Sequence, residues 1–423
     1  MIGSFARLAR RFALMLGGEV VQSAFHFGFN IALVQLLPVR DYGIFATVLL
    51  AGGLALTYMR ALVGTPASLF IPAALGRRAA LGLDVAFGSA ALALSLLVGL
   101  GVALALHFWI GAGALAGGAF VGLWSLRSYL RTAFFARQQQ IEAGASDFVY
   151  TLSGGLLALT LLRGGDLLQG ALTVLALANA FAIAAALALS RRRIRISFGR
   201  GMRARLARLA PQLGWSSLGV TTSNIQAQGQ VLLVVLLAGP AGYAPIAAML
   251  VLFAPLRLLG GALANMMQPE IATLLARGER ERIRHMLPLW TLAVLAASVA
   301  YGVATLLALP LLRAPVFYGQ PLVPLWLMAL MVSAVPQLYV MPRVTLEVAR
   351  RFRSLASMAT LSAMAGVGAS ALLLAAATPV WSLLGSVLSE LMVLAWCWSA
   401  ALPAIARRAP SFTSVPLAKG LPT

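Results

Sequence analysis

The chain has 423 residues, 61% hydrophobic and 10% charged, with a formal net charge of +21. Soluble domains carry about 25% charged residues, so this composition excludes a water-soluble globular protein. The surplus charge is nearly all arginine, Lys419 being the only lysine; it is scattered between apolar runs rather than gathered on one face, which argues against nucleic acid as a partner.

Twelve apolar segments predict an all-α polytopic membrane protein with transmembrane helices at about 12–37, 43–74, 84–107, 114–136, 147–163, 168–190, 208–238, 243–274, 286–312, 320–342, 354–376 and 379–403. Each is near the ~20 residues that a helix needs to cross the hydrocarbon core. Without water to satisfy backbone groups, a span is either a helix or a closed barrel. These runs are too long, and too rich in Ala and Leu, for the ~10-residue alternating strands of a barrel. Arg7, Arg10 and Arg11 before the first run resemble the start of a signal peptide. The segment that follows is too long and too polar for one, and reads as the first span.

The first predicted helix carries a polar stripe, Glu19, Gln22, His26 and Asn30, at spacings that fall on one helical face. His26 is read either as part of that wet face or as a packing residue. Arg60 lies midway along the second helix, just before Gly64-Thr65-Pro66. Proline removes a backbone hydrogen bond and kinks a helix, and the freed carbonyls then need water or side chains. Arg127 and Arg131 in the fourth helix are near enough to the inner interface to snorkel. Asp147 opens the fifth.

The seventh helix repeats the stripe with Ser217, Thr221, Asn224 and Gln228. Three pairs, 19/217, 26/224 and 30/228, share an offset of 198 residues, as does Ala-Arg-Leu-Ala-Arg, which ends at Arg10 and again at Arg208. The eighth helix holds Arg257 between Pro255 and Pro269, and the twelfth holds Glu390 near its middle. Ionisable groups at membrane depth cost roughly 2.5–3.5 kcal/mol each, so they face a cavity or a partner. Glu390 is either a hydrogen-bonding contact to a neighbouring helix or a proton- or cation-coupling group, and Asp147 and Glu19 share the second possibility.

The repeat predicts two pseudo-two-fold-related six-helix lobes, 1–190 and 208–404, around a central cavity. They are joined by a basic linker at 191–207 and followed by a tail at 405–423. Six helices per half make these parallel repeats about the membrane normal. Arginines are dense in alternate loops, which places both termini in the cytoplasm. The helices 1, 2, 7 and 8 then line a cavity with neutral hydrogen-bonding groups plus Arg60 and Arg257. Such a lining suits a large polar ligand bearing phosphate or carboxylate.

With one lysine there is no Walker motif. His26, His107 and His285 are far apart, and the single cysteine, Cys397, excludes an internal disulfide. The sequence offers no catalytic constellation, no metal site, no call for a cofactor, and outer loops too short for a catalytic domain. A transporter is expected rather than an enzyme such as a membrane-embedded polymerase or ligase.

The basic N-terminus and polar first helix, then Leu37-Pro38-Val39-Arg40-Asp41-Tyr42-Gly43, and then the Arg127–Tyr150 stretch with Arg131, Phe134, Phe135, Arg137 and Asp147, resemble the polysaccharide transporter (Wzx-like) branch of the multidrug/oligosaccharidyl-lipid/polysaccharide flippase superfamily. The resemblance covers the whole chain in topology, although its motifs are loose. It implies a bacterial inner-membrane protein that moves an undecaprenyl-pyrophosphate-linked oligosaccharide between leaflets by alternating access, for O-antigen, capsule or exopolysaccharide (surface polysaccharide or lipopolysaccharide) biosynthesis. It implies membrane lipid, a lipid-linked oligosaccharide, and polysaccharide polymerase or glycosyltransferase as partners. Related flippases keep arginines in the helices equivalent to those of Arg60 and Arg257. The alternative within the superfamily is a multidrug or cation antiporter, whose cavity relies on acidic groups.

Overall fold

The computed structural model describes residues 20–73, 76–137, 139–190, 196–311, 314–349 and 351–406. Every regular element among them is helical. Helix α1 is described over Val20–Leu36. Helix α2 runs Val39–Met59, passes through a π turn at Arg60–Gly64 and continues as Thr65–Ala73. Next come α3 (Arg77–Ile110), α4 (Ala114–Ala136), α5 (Gln140–Leu161) and α6 (Leu167–Leu189). The helical run Arg200–Leu252 is broken at Gly239, with φ 70° and ψ 177°. That left-handed φ is open to glycine, and Pro240 follows to start a new helix. Helix α7 is therefore 200–238, and α8 runs 240–252 and, past a kink at Phe253, Ala254–Arg277.

The remaining helices are α9 (Arg280–Ala308), α10 (Leu322–Leu338, then Val340–Val348), α11 (Phe352–Ala376) and α12 (Leu383–Ala406). These elements follow the predicted segments in order, and α4 matches its predicted bounds of 114–136. By length and apolarity alone, eight helices among the described residues are able to cross a membrane. Those that fall short include α4 and α5, which carry Arg127, Arg131 and Asp147. Helix α7 begins within the segment expected as linker. Its amphipathic start lays Leu206 and Leu209 on the N-terminal lobe, and Ser197 N–H donates to Ser89 Oγ of α3 at 2.9 Å.

Three proline breaks obey one backbone rule: in an apolar bundle an orphaned carbonyl needs a donor. In α2 the Thr65 N–H bonds Arg60 O, and Pro66 has no N–H, so Ala61 O loses its backbone donors; Ser216 Oγ of α7 supplies one at 3.0 Å. In α8 the Leu256 N–H turns to Phe253 O and Pro255 has none to give, and Tyr301 O–H donates to Leu252 O at 2.6 Å. In α10 Pro342 leaves Leu338 O open, and the Trp398 indole N–H reaches it at 3.2 Å. The sequence expectation of breaks in helices 2 and 8 is met near Pro66 and at Pro255, with side chains answering the carbonyls, whereas Pro269 lies inside the continuous helix Ala254–Arg277.

The hydrophobic cores show how the lobes meet. At the end where connections carry few arginines, one core spans both lobes, with Leu33, Leu37, Tyr42 and Phe45 together with Tyr243, Ile246, Phe317 and Trp326. Toward the arginine-rich end the cores are separate. Met59, Phe87, Phe134 and Ile183 cluster in the N-terminal lobe, and Met267, Ile271, Leu287 and Val344 in the C-terminal lobe. The lobes are thus sealed together at one end and individually packed at the other.

Within the N-terminal lobe, α3 and α4 approach through small residues, as membrane helices do when packing alone must hold them. A Cβ on Gly122 would meet Ser95 O at 2.9 Å and Gly99 Cα at 3.4 Å. Gly122→Val should therefore destabilise the lobe by about 1–3 kcal/mol through overpacking. Gly101→Ala, where the space is open, should be neutral. Thermal melting of both variants in detergent checks this.

Candidate functional site

A cavity of about 700 Å³ lies between the lobes. Its N-terminal wall is built by Gln22, Ser23, His26, Phe27 and Asn30 of α1, by Tyr42, Ala46, Leu49, Leu50 and Gly53 of α2, and by Trp124 of α4. Its C-terminal wall is built by Gln228 and Val231 of α7 and by Tyr243, Ala247, Leu250, Val251, Pro255 and Arg257 of α8. Periodicity explains both sets, since residues at i, i+3/i+4 and i+7 share a helix face. Arg257 stands four residues past the Phe253 kink, so the break in α8 helps to set where its guanidinium points. Among the described lining residues there is one guanidinium and no carboxylate.

Behind the N-terminal wall sits a buried polar network. Arg127 and Asp147 are 4% and 2% exposed and pair at 2.9 Å, and Arg131 Nε meets the other Asp147 oxygen at 3.1 Å. Arg127 also donates to Asn179 Oδ1 of α6 at 3.2 Å and to Gln22 Oε1 at 2.5 Å. Its guanidinium lies 4.0 Å from the centre of the Tyr150 ring. The Tyr150 hydroxyl hydrogen-bonds His26 Nε2 at 2.9 Å, and the imidazole stacks between Tyr150 and Trp124, with ring centres 5.4 and 5.8 Å away. Four helices thus converge on one cation.

No family model matches the chain, and no curated protein matches it in sequence. Solved structures do match in fold. An inward-facing multidrug resistance MATE family transporter of the MOP superfamily aligns with a TM-score of 0.64 at 13% identity, over 90% of this chain and 95% of that one. The eukaryotic MATE transporter AtDTX14 aligns at 0.62 and 14% identity, over 94% and 96%. A MOP superfamily transporter from Pyrococcus furiosus, described by the "reverse polarity" of its binding pocket, aligns at 0.52 and 14% identity, over 94% and 95%. The chain shares the MATE fold.

In this MATE-like frame the sequence-predicted residues divide. Gln22, His26, Asn30, Gln228 and Arg257 line the cavity together. Glu19 lies outside the described residues. Arg60 is exposed on the π turn, one helical face-repeat beyond Gly53, outside the lining. Thr221 and Asn224 form a seam with α2 instead: Asn224 Nδ2 donates to Thr57 Oγ1 at 2.7 Å, and the Tyr58 and Thr221 hydroxyls are 2.7 Å apart. Ser217 accepts from Thr221 Oγ1 through its carbonyl at 2.8 Å and is not in the lining. Glu390 accepts from Tyr339 O–H at 2.6 Å, at the α10 break and away from the cavity. That is the helix-to-helix contact weighed for it from sequence.

Snorkelling does not describe Arg127. It is buried in the ion pair with Asp147, because carboxylate, amides and an aromatic face inside the lobe replace the water of the interface. Sequence reasoning named Tyr42 and Tyr150 only within the family-like motifs, gave them no role in the site, and missed Trp124; hydropathy alone reads all three rings as core. The tip of Tyr42 donates to Asn30 Oδ1 at 2.9 Å.

Removing one member of a buried pair leaves an uncompensated charge, which costs about 3–5 kcal/mol. Asp147→Leu strands two guanidiniums and should lower the melting temperature sharply. Arg127→Met leaves Asp147 still paired with Arg131 and should cost markedly less. Melting curves of the two purified variants test that order.

Proposed function

We propose that the protein is a flippase for a lipid-linked oligosaccharide of the undecaprenyl-pyrophosphate type, working by alternating access in a bacterial inner membrane with both termini cytoplasmic. The observation that carries this reading is the cavity's polarity: a guanidinium, carboxamides and aromatic rings, with no acid among the described lining residues. A phosphate or acidic sugar finds a charge-assisted donor in Arg257. Hydroxyl-rich sugars find Gln22, Asn30 and Gln228. The cavity volume of about 700 Å³ is that of a site for a sizeable polar ligand. The separate cores at the arginine-rich end, and the likeness to an inward-facing neighbour, support a cavity that loads from the cytoplasmic side. Surface-polysaccharide assembly then supplies the partners, namely the glycosyltransferases that build the ligand and a polymerase that consumes it.

Multidrug antiport is the second reading, favoured by the multidrug resistance MATE neighbour. A cationic drug requires an acidic wall, however, and the described wall is cationic. The neighbour with a reversed pocket polarity, said to suggest a different function, supports treating lining charge as the guide to ligand class within this fold.

Glycan-export complementation in a deletion strain tests the reading. Loss of a charge-assisted bond costs about 1.5–3 kcal/mol, so Arg257→Ala should cut export at limiting substrate about ten- to a hundredfold. Arg60→Ala, outside the cavity lining, should have a smaller effect. Wild-type export by both variants at matched expression removes the role of these arginines. A deletion strain with intact surface glycan and increased drug sensitivity selects the antiporter.

A further inference from the structure

The Arg127 network does more than hold the N-terminal lobe together. Arginine is a donor only, with no lone pair to offer. Whatever atom of the Gln22 carboxamide faces Arg127 Nη2 at 2.5 Å must therefore be its oxygen, and the NH₂ group is left for the cavity that Gln22 lines. The guanidinium is itself fixed. Asp147 holds it at 2.9 Å, and Asn179 accepts from it while giving its own NH₂ to Leu175 O at 2.8 Å. Asn30 is oriented alike at the other end of the α1 stripe, by a hydroxyl that donates to it rather than by a donor-only partner. Its oxygen takes the Tyr42 hydroxyl at 2.9 Å, so its NH₂ is also free to face the cavity. The α1 wall is thereby turned donor-side out, opposite the donor-only Arg257.

We propose that Arg127, although it does not reach the cavity, is a positioning residue for ligand selectivity: by holding the Gln22 oxygen it makes the α1 wall a reader of neutral hydrogen-bond acceptors, the acyl carbonyl and ring oxygens of a glycan. This rests on the reading of an acceptor-rich ligand above, and extends it by dividing the cavity in two. The C-terminal wall takes the anionic group through Arg257. The N-terminal wall takes uncharged acceptors through Gln22 and Asn30.

The test uses the purified full chain in lipid nanodiscs with two probes, inorganic pyrophosphate and the neutral disaccharide N,N′-diacetylchitobiose, with affinities measured by calorimetry. Arg127→Met frees the Gln22 carboxamide to turn, and Gln22→Met removes it. Each should weaken chitobiose binding about tenfold, the effect of one lost hydrogen bond, and leave pyrophosphate within about twofold. Arg127→Lys, still a donor, should restore most of the chitobiose affinity. Arg257→Ala should do the reverse, losing pyrophosphate and keeping chitobiose. Wild-type chitobiose affinity in Gln22→Met overturns the proposal, and so does an Arg127→Lys protein as weak as Arg127→Met. If Arg127→Met fails to fold, Gln22→Met and Arg127→Lys decide alone. A wild-type protein that binds pyrophosphate but not chitobiose defeats this inference and leaves the flippase reading standing; one that binds neither defeats both.

Discussion

A carbonyl without a donor is costly inside an apolar helix bundle, and the architecture of this protein is arranged around that fact. Prolines at 66, 255 and 342 strip donors from α2, α8 and α10. Ser216, Tyr301 and Trp398 return them from neighbouring helices. Each repair ties a bend in one helix to a fixed point on another. The bond from Ser216 to Ala61 O joins the two lobes, and the bond from Tyr301 to Leu252 O braces α8 just ahead of the turn that carries Arg257. The bends that shape the cavity and the contacts that keep it in shape share one cause.

Charge follows the same logic at higher stakes. Arg127 and Asp147 are costly to bury alone, and together they are tolerable because Arg131, Asn179 and Gln22 complete their hydrogen bonding. The network fixes the relative positions of α1, α4, α5 and α6. It also delivers Gln22 and His26 to the cavity wall in set orientations. The opposite wall has Arg257 in the cavity itself. The two lobes, alike in helix order, therefore treat their cations differently: one is enclosed as structure and the other is open to a ligand.

Much of this was legible in the sequence because helical period and proline chemistry are local. Ala114–Ala136 stands out as one apolar segment between glycine-rich and basic ends, and its predicted bounds coincide with α4. The breaks near Pro66 and Pro255 follow from residues within one turn. What period cannot tell is which neighbour a face meets. Ser217, Thr221 and Asn224 do share a face, but Thr57 and Tyr58 of α2 cover the latter two, and only Gln228, one turn further, reaches the cavity. Asp147 and Arg127 are twenty residues apart on different helices, so their pairing is tertiary information. The early start of α7 at Arg200 was hidden for a different reason. Its arginines read as linker, while Leu206 and Leu209 beneath them have an apolar surface to lie on.

The π turn in α2 holds one residue more than an α turn would, and that surplus acts as a phase slip in the helix. Before it, Tyr42, Ala46, Leu49 and Gly53 face the cavity between the lobes. Within it Val63, and after it Ala67, are buried in the N-terminal lobe's own core beside Phe87 and Phe134. One continuous span thus serves two unlike surroundings without a loop between them. Excising a single residue from 60–64 would erase the slip, swing the last third of the helix by about 100°, and turn that core-facing edge outward while the cavity-facing edge stayed where it was.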